Sequence, residues 1–172
     1  MLENDYKESL PDRRSIRLNG FDYSSGNGYF VTICCEDGKQ RFGRIVHDEG
    51  RIGESTEWRV EQNAFGQIVE EELRNIETRF NGVIVAGYIV MPNHVHFMLI
   101  NDGVLGYKLS RIVGSFKSVT GNRCLQSYKD LGQRMGQLWQ RNYYEHIVRG
   151  KDDFDNIMIY MYENPTRWGA TH

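Results

Sequence analysis

The chain has 172 residues, is 40% hydrophobic and 26% charged, and carries a formal net charge of −2 at pH 7. This length suits a single domain, residues 1–172, with a core of its own. The longest apolar run, residues 83–91, is too short to span a bilayer, and the polar N-terminus has no signal-peptide core. With three cysteines and no C-x-x-C pair, we expect a reduced, cytoplasmic protein. The net charge excludes a uniformly basic surface but allows a local basic groove.

Local patterns predict the elements of the first half of the chain. We expect residues 1–20 to form an extended N-terminal arm, and residues 29–35, rich in aromatic and β-branched side chains, to form a strand. Segments 41–46 and 50–60 predict a hairpin or an irregular excursion. Apolar residues at helical spacing predict a helix over residues 63–80, with Asn63 as its N-cap.

The second half predicts two strands, then a helix, a strand and a final helix. The strands are residues 83–91 and 94–100, and a helix follows at 105–124, a loop at 127–138 and a strand in the second half of 139–149. The final helix, 152–163, is expected to end before or at Asn164-Pro165. The order predicts an α+β fold of the ferredoxin-like split β-α-β type: an antiparallel sheet with helices on one face, plus a C-terminal helix. Many functions occur on that fold.

His94 and His96 stand two residues apart in the segment MPNHVHF, inside a predicted strand. Because side chains alternate along a strand, both imidazoles point to the same face. Two neutral imidazoles on a rigid strand form half of a metal site. Two histidines with structural hydrogen bonds would give the same spacing, so this motif alone leaves both interpretations open.

Tyr160 and Asn164 are four residues apart on the final helix and therefore share one face. A tyrosine beside a carboxamide could be a nucleophile next to a metal ligand, although a solvated polar stripe would look the same. Tyr162 lies about 200° around the helix from Tyr160, so only one of the two can face a given site. The competing tyrosines are Tyr143, Tyr144 and Tyr162, and further possible ligands are Glu145 and His146.

Basic residues cluster in the N-terminal segment and on the second predicted helix. Hydroxyl side chains lie between the helical cations, a combination that suits phosphate contacts, although a solvated helix face has the same pattern. The candidate DNA-binding residues are Arg13, Arg14, Arg17, Lys108, Arg111, Lys117 and Arg123.

Several longer motifs occur in order along the chain. They are SIRLNGFDYSSGNGYFVTICC, GYIVMPNHVHFMLI, FKSVTG, LWQRNYYEHIVR, and YMYENP followed by TRW. Together they resemble the single-tyrosine HUH transposases of bacteria, in particular the REP-associated tyrosine transposase branch. The likeness runs from about residue 13 to residue 168.

This resemblance implies a metal-dependent endonuclease and strand transferase that acts on single-stranded DNA, often beside a hairpin, through a 5′-phosphotyrosine intermediate. It implies that His94, His96 and Asn164 bind one divalent metal, Mg or Mn, and that Tyr160 is the nucleophile; it disfavours Tyr143. Members of the family act as monomers or homodimers, and we expect no membrane partner. The alternative is a domesticated relative of the same fold that binds hairpin DNA or RNA without cutting it.

Overall fold

The computed structural model describes residues 27–48 and 57–170. Within these ranges the strands are β1 (Asn27–Cys34), β2 (Gly43–Asp48), β3 (Glu57–Gln62), β4 (Val83–Met91), β5 (His94–Asn101) and β6 (Tyr144–Ile147). The helices are α1 (Ala64–Arg74), α2 (Ile76–Arg79), α3 (Leu109–Asp130) and α4 (Lys151–Gly169). The predicted arm, with Arg13, Arg14 and Arg17, lies outside the described residues.

Four strands form one antiparallel sheet in the order β4-β5-β1-β6, and β2 pairs with β3 as a separate hairpin. This strand order, with α1 and α3 as the connecting helices, confirms the predicted ferredoxin-like α+β fold. Of the two alternatives predicted for segments 41–46 and 50–60, the described residues form the hairpin; residues 49–56 lie outside the described ranges. Because β5 lies between β4 and β1, both histidines of the motif stand on a central strand.

The two faces of the sheet carry separate cores. Alternate residues of β5, including Val95 and Phe97, pack with α1 and α3 in the larger core. The intervening residues face the opposite side, where Met98 packs with Ile157 and Met161 of α4 in a smaller core. The period of two along β5 therefore directs its histidines to the face that α4 covers.

Two predicted helices have different bounds in the structure. Asn63 is the N-cap, as predicted, and its side chain accepts hydrogen bonds from the backbone N–H groups of Phe65 and Gly66. The helix then breaks at Asn75, so that residues 63–80 contain two helices instead of one. The next helix begins at Leu109, not at residue 105, because Gly103 and Gly106 adopt positive φ angles of 75° and 62° in the preceding loop. It continues to Asp130, since Leu125 and Tyr128 pack against the larger core.

The prediction that the last helix ends at Asn164-Pro165 is wrong. The helix continues through Pro165 to Gly169, although proline cannot donate the backbone hydrogen bond of its position. Tertiary packing outweighs that loss, because Pro165 is buried and Gly169 lies against the Trp58 ring. Tyr160 and Asn164 consequently belong to one continuous helix.

Of the helices in the described ranges, none combines the length and the apolar character that crossing a membrane requires.

Candidate metal and nucleophile site

His94 and His96 lie side by side on the sheet face that α4 covers, and their Nε2 atoms are 3.1 Å apart. The structure therefore confirms that the two rings share one face. Burial lowers the pKa of His94 to about 4. Burial and then the neighbouring His94 also hold the pKa of His96 well below its ordinary value. Both imidazoles are neutral at pH 7, which is the form that binds metal ions.

Each imidazole is held through its other nitrogen. Nδ1 of His94 donates a hydrogen bond to Oδ1 of Asn93 at 2.6 Å. Nδ1 of His96 lies 2.7 Å from Oγ1 of Thr32, the residue opposite it on β1. A hydroxyl accepts from Nδ1 when that nitrogen carries the proton, and the lone pair is then on Nε2. Asn93 and Thr32 thus allow both Nε2 atoms to bind one ion.

The spacing of the two nitrogens fits a shared metal ion. Two nitrogen ligands, each about 2.0–2.1 Å from an ion, are separated by about 2.9 Å in an octahedral arrangement and about 3.4 Å in a tetrahedral one. The observed separation of 3.1 Å falls between these values. Among the described residues, no group of three or more His, Cys, Asp or Glu side chains is arranged to hold a metal. A third protein ligand for an ion held by the two histidines would therefore have to be a side chain other than His, Cys, Asp or Glu.

Asn164 supplies an amide at this point. Its Nδ2 lies 3.4 Å from Nε2 of His96, and both residues are buried, with 7% and 5% of their surfaces exposed. A half-turn about the last side-chain bond exchanges the amide nitrogen and oxygen at nearly the same positions. The oxygen would then face the histidine nitrogens as a neutral ligand. Two imidazoles and one amide oxygen leave coordination positions for phosphate oxygens and water.

Tyr160 lies one helical turn before Asn164 and contacts the same histidine. The centroid of its ring is 5.5 Å from that of His96 and 6.1 Å from that of Phe30. The side chain is half-buried and packs at the edge of the smaller core. The tyrosine, the amide and both histidines therefore form one cluster within a single chain.

Contacts at both ends fix α4 over this cluster. At the N-terminal end, Asp153 accepts hydrogen bonds of 2.8 Å from the backbone N–H of Arg149 and from Nε2 of His146. At the C-terminal end, the Trp168 ring lies 5.7 Å from the ring of His94. Gly169 lies so close to Trp58 of the hairpin that a Cβ atom would overlap the indole ring. The hydrogen bond to Asp153 also gives His146 a structural partner.

The other candidate residues occupy different surroundings. Tyr143 is buried in the larger core, on the far side of the sheet. Tyr162 is 78% exposed on the outer side of α4, as the helical geometry predicted. Tyr144 lies on β6, where it pairs with Thr32 of β1 and therefore faces the same side of the sheet as α4. Glu145 pairs in register with Val31 of the larger core and so points away from the histidines.

The basic residues of α3, together with Lys108 just before it, separate into two groups. Nζ of Lys117 donates to the carbonyl oxygens of Gln140 and Arg141 at 2.6 and 2.9 Å. Arg123 pairs with Glu71 at 2.8 Å and is also hydrogen-bonded to Glu72. These two predicted DNA contacts are thus engaged in structural bonds, because an amphipathic pattern does not distinguish a phosphate ligand from a cation that joins elements. Lys108 and Arg111 are exposed.

Sequence reasoning missed three residues around this cluster. Thr32 and Asn93 hold the imidazoles, and the Cζ atom of Arg167 lies 5.7 Å from the centroid of the Tyr160 ring. Strand alternation in YFVTICC could have placed Thr32 on the histidine face. Arg167 was missed because the last helix was expected to end before it.

Comparison with solved structures supports the fold. A REP-associated tyrosine transposase bound to a REP hairpin matches with a TM-score of 0.58 and 15% identity, over 93% of this chain and 75% of that one. A transposase structure from Deinococcus radiodurans matches with a TM-score of 0.50 and 18% identity, over 87% of this chain and 97% of that one. At these identities the likeness establishes the shared architecture alone.

Sequence comparison gives the family. The model for IS200-like transposases matches residues 57–164, more than half of the chain, and the protein belongs to that family. An uncharacterized protein of Haemophilus influenzae is 29% identical over 183 aligned residues, covering 95% of this chain and 93% of the relative. A second protein of that organism, described as a REP-associated tyrosine transposase, is 24% identical over 152 residues, covering 86% and 75%.

Proposed function

We propose that this protein is a metal-dependent endonuclease and strand transferase that cuts single-stranded DNA through a covalent bond to Tyr160. The observation that carries the proposal is the cluster of Tyr160, Asn164, His94 and His96 on one face of the sheet. A phenol, an amide and two neutral imidazoles together supply a nucleophile and metal ligands, which are the groups that metal-assisted phosphoryl transfer to a tyrosine needs.

His94, His96 and Asn164 would hold one divalent ion, Mg or Mn. Such an ion polarises a phosphate and orients it for attack, which matters because a phenol with an ordinary pKa of about 10 is a poor nucleophile at neutral pH. The chain's own contribution is to keep both Nε2 atoms directed at one point. Thr32 and Asn93 do this by occupying the two Nδ1 atoms.

Tyr160 performs the exchange of bonds. Its phenolic oxygen forms a bond to phosphorus, and the bond from phosphorus to the 3′ oxygen breaks. The 3′ oxygen takes a proton from water and leaves as a hydroxyl, and the phenol proton passes to water. The 5′ phosphate stays attached to Tyr160, so a second 3′ hydroxyl can reverse the reaction and join the strand to a new end.

A hairpin in single-stranded DNA is the substrate class that we infer. The relative with the same architecture is bound to a REP hairpin, and this likeness supports a hairpin partner for the present chain. Exposed Lys108 and Arg111 are available for backbone contacts. The protein acts as a monomer or a homodimer, and one chain contains all four residues of the cluster.

The test is a covalent adduct between protein and DNA. Wild-type protein is incubated with Mn²⁺ and a fluorescent pool of single-stranded DNA hairpins with random flanks, and is then run on a denaturing gel. We expect a labelled protein band that EDTA abolishes and that Tyr160→Phe lacks. Tyr162→Phe is the matched control, because Tyr162 is on the same helix but faces solvent.

Two outcomes would contradict the proposal in different ways. An adduct that persists in Tyr160→Phe would place the nucleophile elsewhere, and Tyr144→Phe would be the next variant to examine. Tight hairpin binding without any adduct, under every metal tested, would indicate the alternative of a non-cleaving hairpin-binding protein. Native gels with the same DNA pool measure that binding directly.

A further inference from the structure

Arg167 follows Tyr160 by seven residues, which is two helical turns, so both side chains lie on one face of α4. The guanidinium carbon is 5.7 Å from the centroid of the Tyr160 ring, within the range of a cation–π contact. Arg167 is exposed, whereas Tyr160 is half-buried beside His96. A positive charge therefore stands on the solvent side of the tyrosine, where a DNA strand would approach.

In the absence of DNA, Glu163 forms an ion pair with this guanidinium. Nη2 and Nε of Arg167 lie 2.8 and 3.3 Å from the same oxygen, Oε2, of Glu163. The two side chains are 43% and 51% exposed, and exposed pairs four residues apart on a helix are weak. A phosphate can displace this carboxylate, because Glu163 offers only one oxygen to the guanidinium, whereas a phosphate can bind it through two parallel hydrogen bonds.

We propose that Arg167 binds the DNA phosphate that Tyr160 attacks and that Glu163 holds the guanidinium in place until DNA arrives. This inference rests on the proposed function and names a further residue of the same site. The cation–π contact orients the ring, and the released guanidinium fixes the phosphate beside the phenolic oxygen. Glu163 opposes DNA binding, since its carboxylate competes with phosphate for one cation.

A purely structural role for the pair makes a different prediction. If Arg167 and Glu163 only stabilise the last turns of α4, replacing either one has the same sign of effect on DNA binding. If Arg167 binds phosphate, Arg167→Gln weakens binding and Glu163→Gln strengthens it. The matched control is Lys151, which forms an i,i+4 ion pair with Asp155 at the other end of the same helix.

Binding is measured first in a Tyr160→Phe background, which keeps the ring but cannot form the adduct. The probe is a fluorescein-labelled DNA hairpin with single-stranded flanks, titrated at several salt concentrations. We expect Arg167→Gln to raise Kd by about 3- to 10-fold and to reduce the salt slope by about 0.7, the value for one phosphate contact on a single strand. Glu163→Gln should lower Kd by about 2- to 3-fold, and Lys151→Gln should change neither quantity.

Adduct formation is measured next, with Tyr160 intact and saturating DNA. Arg167→Gln should slow it by about 10- to 100-fold, and Arg167→Lys should restore part of the rate because a point charge replaces the bidentate fork. Millimolar guanidinium should accelerate Arg167→Ala but not the wild type. Equal behaviour of Arg167→Gln and Lys151→Gln in both assays would overturn the inference. A wild type that forms no adduct would overturn the proposed function, while the salt slopes would still decide whether Arg167 contacts phosphate.

Discussion

Thr32 and His96 face each other across β1 and β5, with Oγ1 of the threonine 2.7 Å from Nδ1 of the imidazole. When Nδ1 carries the proton, the hydroxyl accepts a hydrogen bond from it and Nε2 keeps its lone pair. Because His96 is buried, no water can readily replace the hydroxyl if it is removed.

Thr32→Val should therefore weaken metal binding while leaving the fold intact. Valine has nearly the shape of threonine, but it cannot accept a hydrogen bond from Nδ1–H. We expect the Mn²⁺ affinity to fall by about 10- to 100-fold, as for other residues that support metal-binding histidines. Electron paramagnetic resonance of free Mn²⁺ measures this directly. Thr32→Ser keeps the hydroxyl and should bind like the wild type; equal affinity in Thr32→Val would argue against this role.

Lys117→Met should destabilise the protein instead of acting on DNA binding. The ammonium group donates to the carbonyl oxygens of Gln140 and Arg141, and a methionine would leave both without that donor. We expect the free energy of unfolding to decrease by about 1–2 kcal/mol in urea titrations. Lys108→Ala is the comparison, because its exposed cation should alter the salt slope of DNA binding without changing stability. A flattened salt slope in Lys117→Met with unchanged stability would contradict this assignment.

Asp153→Asn should cost stability at neutral pH and not in acid. Burial raises the pKa of the Asp153 carboxyl, but hydrogen bonds from the Arg149 N–H and the His146 side chain outweigh burial and lower it overall. A lowered folded-state pKa gives stability that is present above the usual value of about 3.9 and is lost as the pH falls through the folded value. We expect a deficit of about 1 kcal/mol at pH 7 that shrinks below pH 4.

Urea unfolding of wild type and variant at pH 7 and pH 3 measures that difference. Asp152→Asn is the control, since Asp152 is an exposed neighbour in the same helical turn. A deficit that stays constant with pH would show that Asp153 does not act through its charge.

Gly169→Ala should detach the end of α4 from the β2–β3 hairpin. A Cβ atom at this position would overlap the Trp58 ring, and overpacking of this kind costs about 1–3 kcal/mol. Thermal unfolding measures the loss, and adduct formation should slow because Asn164 moves with the helix end. Gly114→Ala on α3 is the control: its Cβ would meet nothing within 4 Å, so the change should be neutral or slightly stabilising. Trp58→Ala should relieve the cost of Gly169→Ala if the clash is its cause.

The parts of the fold that follow short periodicities were predictable from sequence. Alternation along β5 placed His94 and His96 on one face, and the helical period separated Tyr160 from Tyr162. The end of α4 was not predictable, because local chemistry at Pro165 favours a break and only distant packing overrides it. For the same reason the sequence did not indicate Arg167 as a residue of the site.

The surroundings of individual lysine and arginine side chains were not predictable from sequence either. Lys117 and Lys108 have similar neighbours in sequence, yet one bonds to backbone carbonyls and the other is exposed. Their difference depends on where the segment after α3 returns to the sheet, which a helical pattern does not encode. Partners across strands, such as Thr32 for His96, depend on register in the same way.

The smaller core beneath α4 also affects how the site opens. Among the described residues its buried members are Phe30, Met98, Ile157 and Met161, far fewer than in the core on the other face. Local unfolding is easiest where few apolar side chains are buried, so α4 should lift from the sheet while the α1–α3 layer stays folded. His96 and Asn164 are closed off from solvent when the helix is seated. Substrate entry would then depend on this local opening of α4. The amide hydrogens of α4 should accordingly exchange with solvent sooner than those of β5.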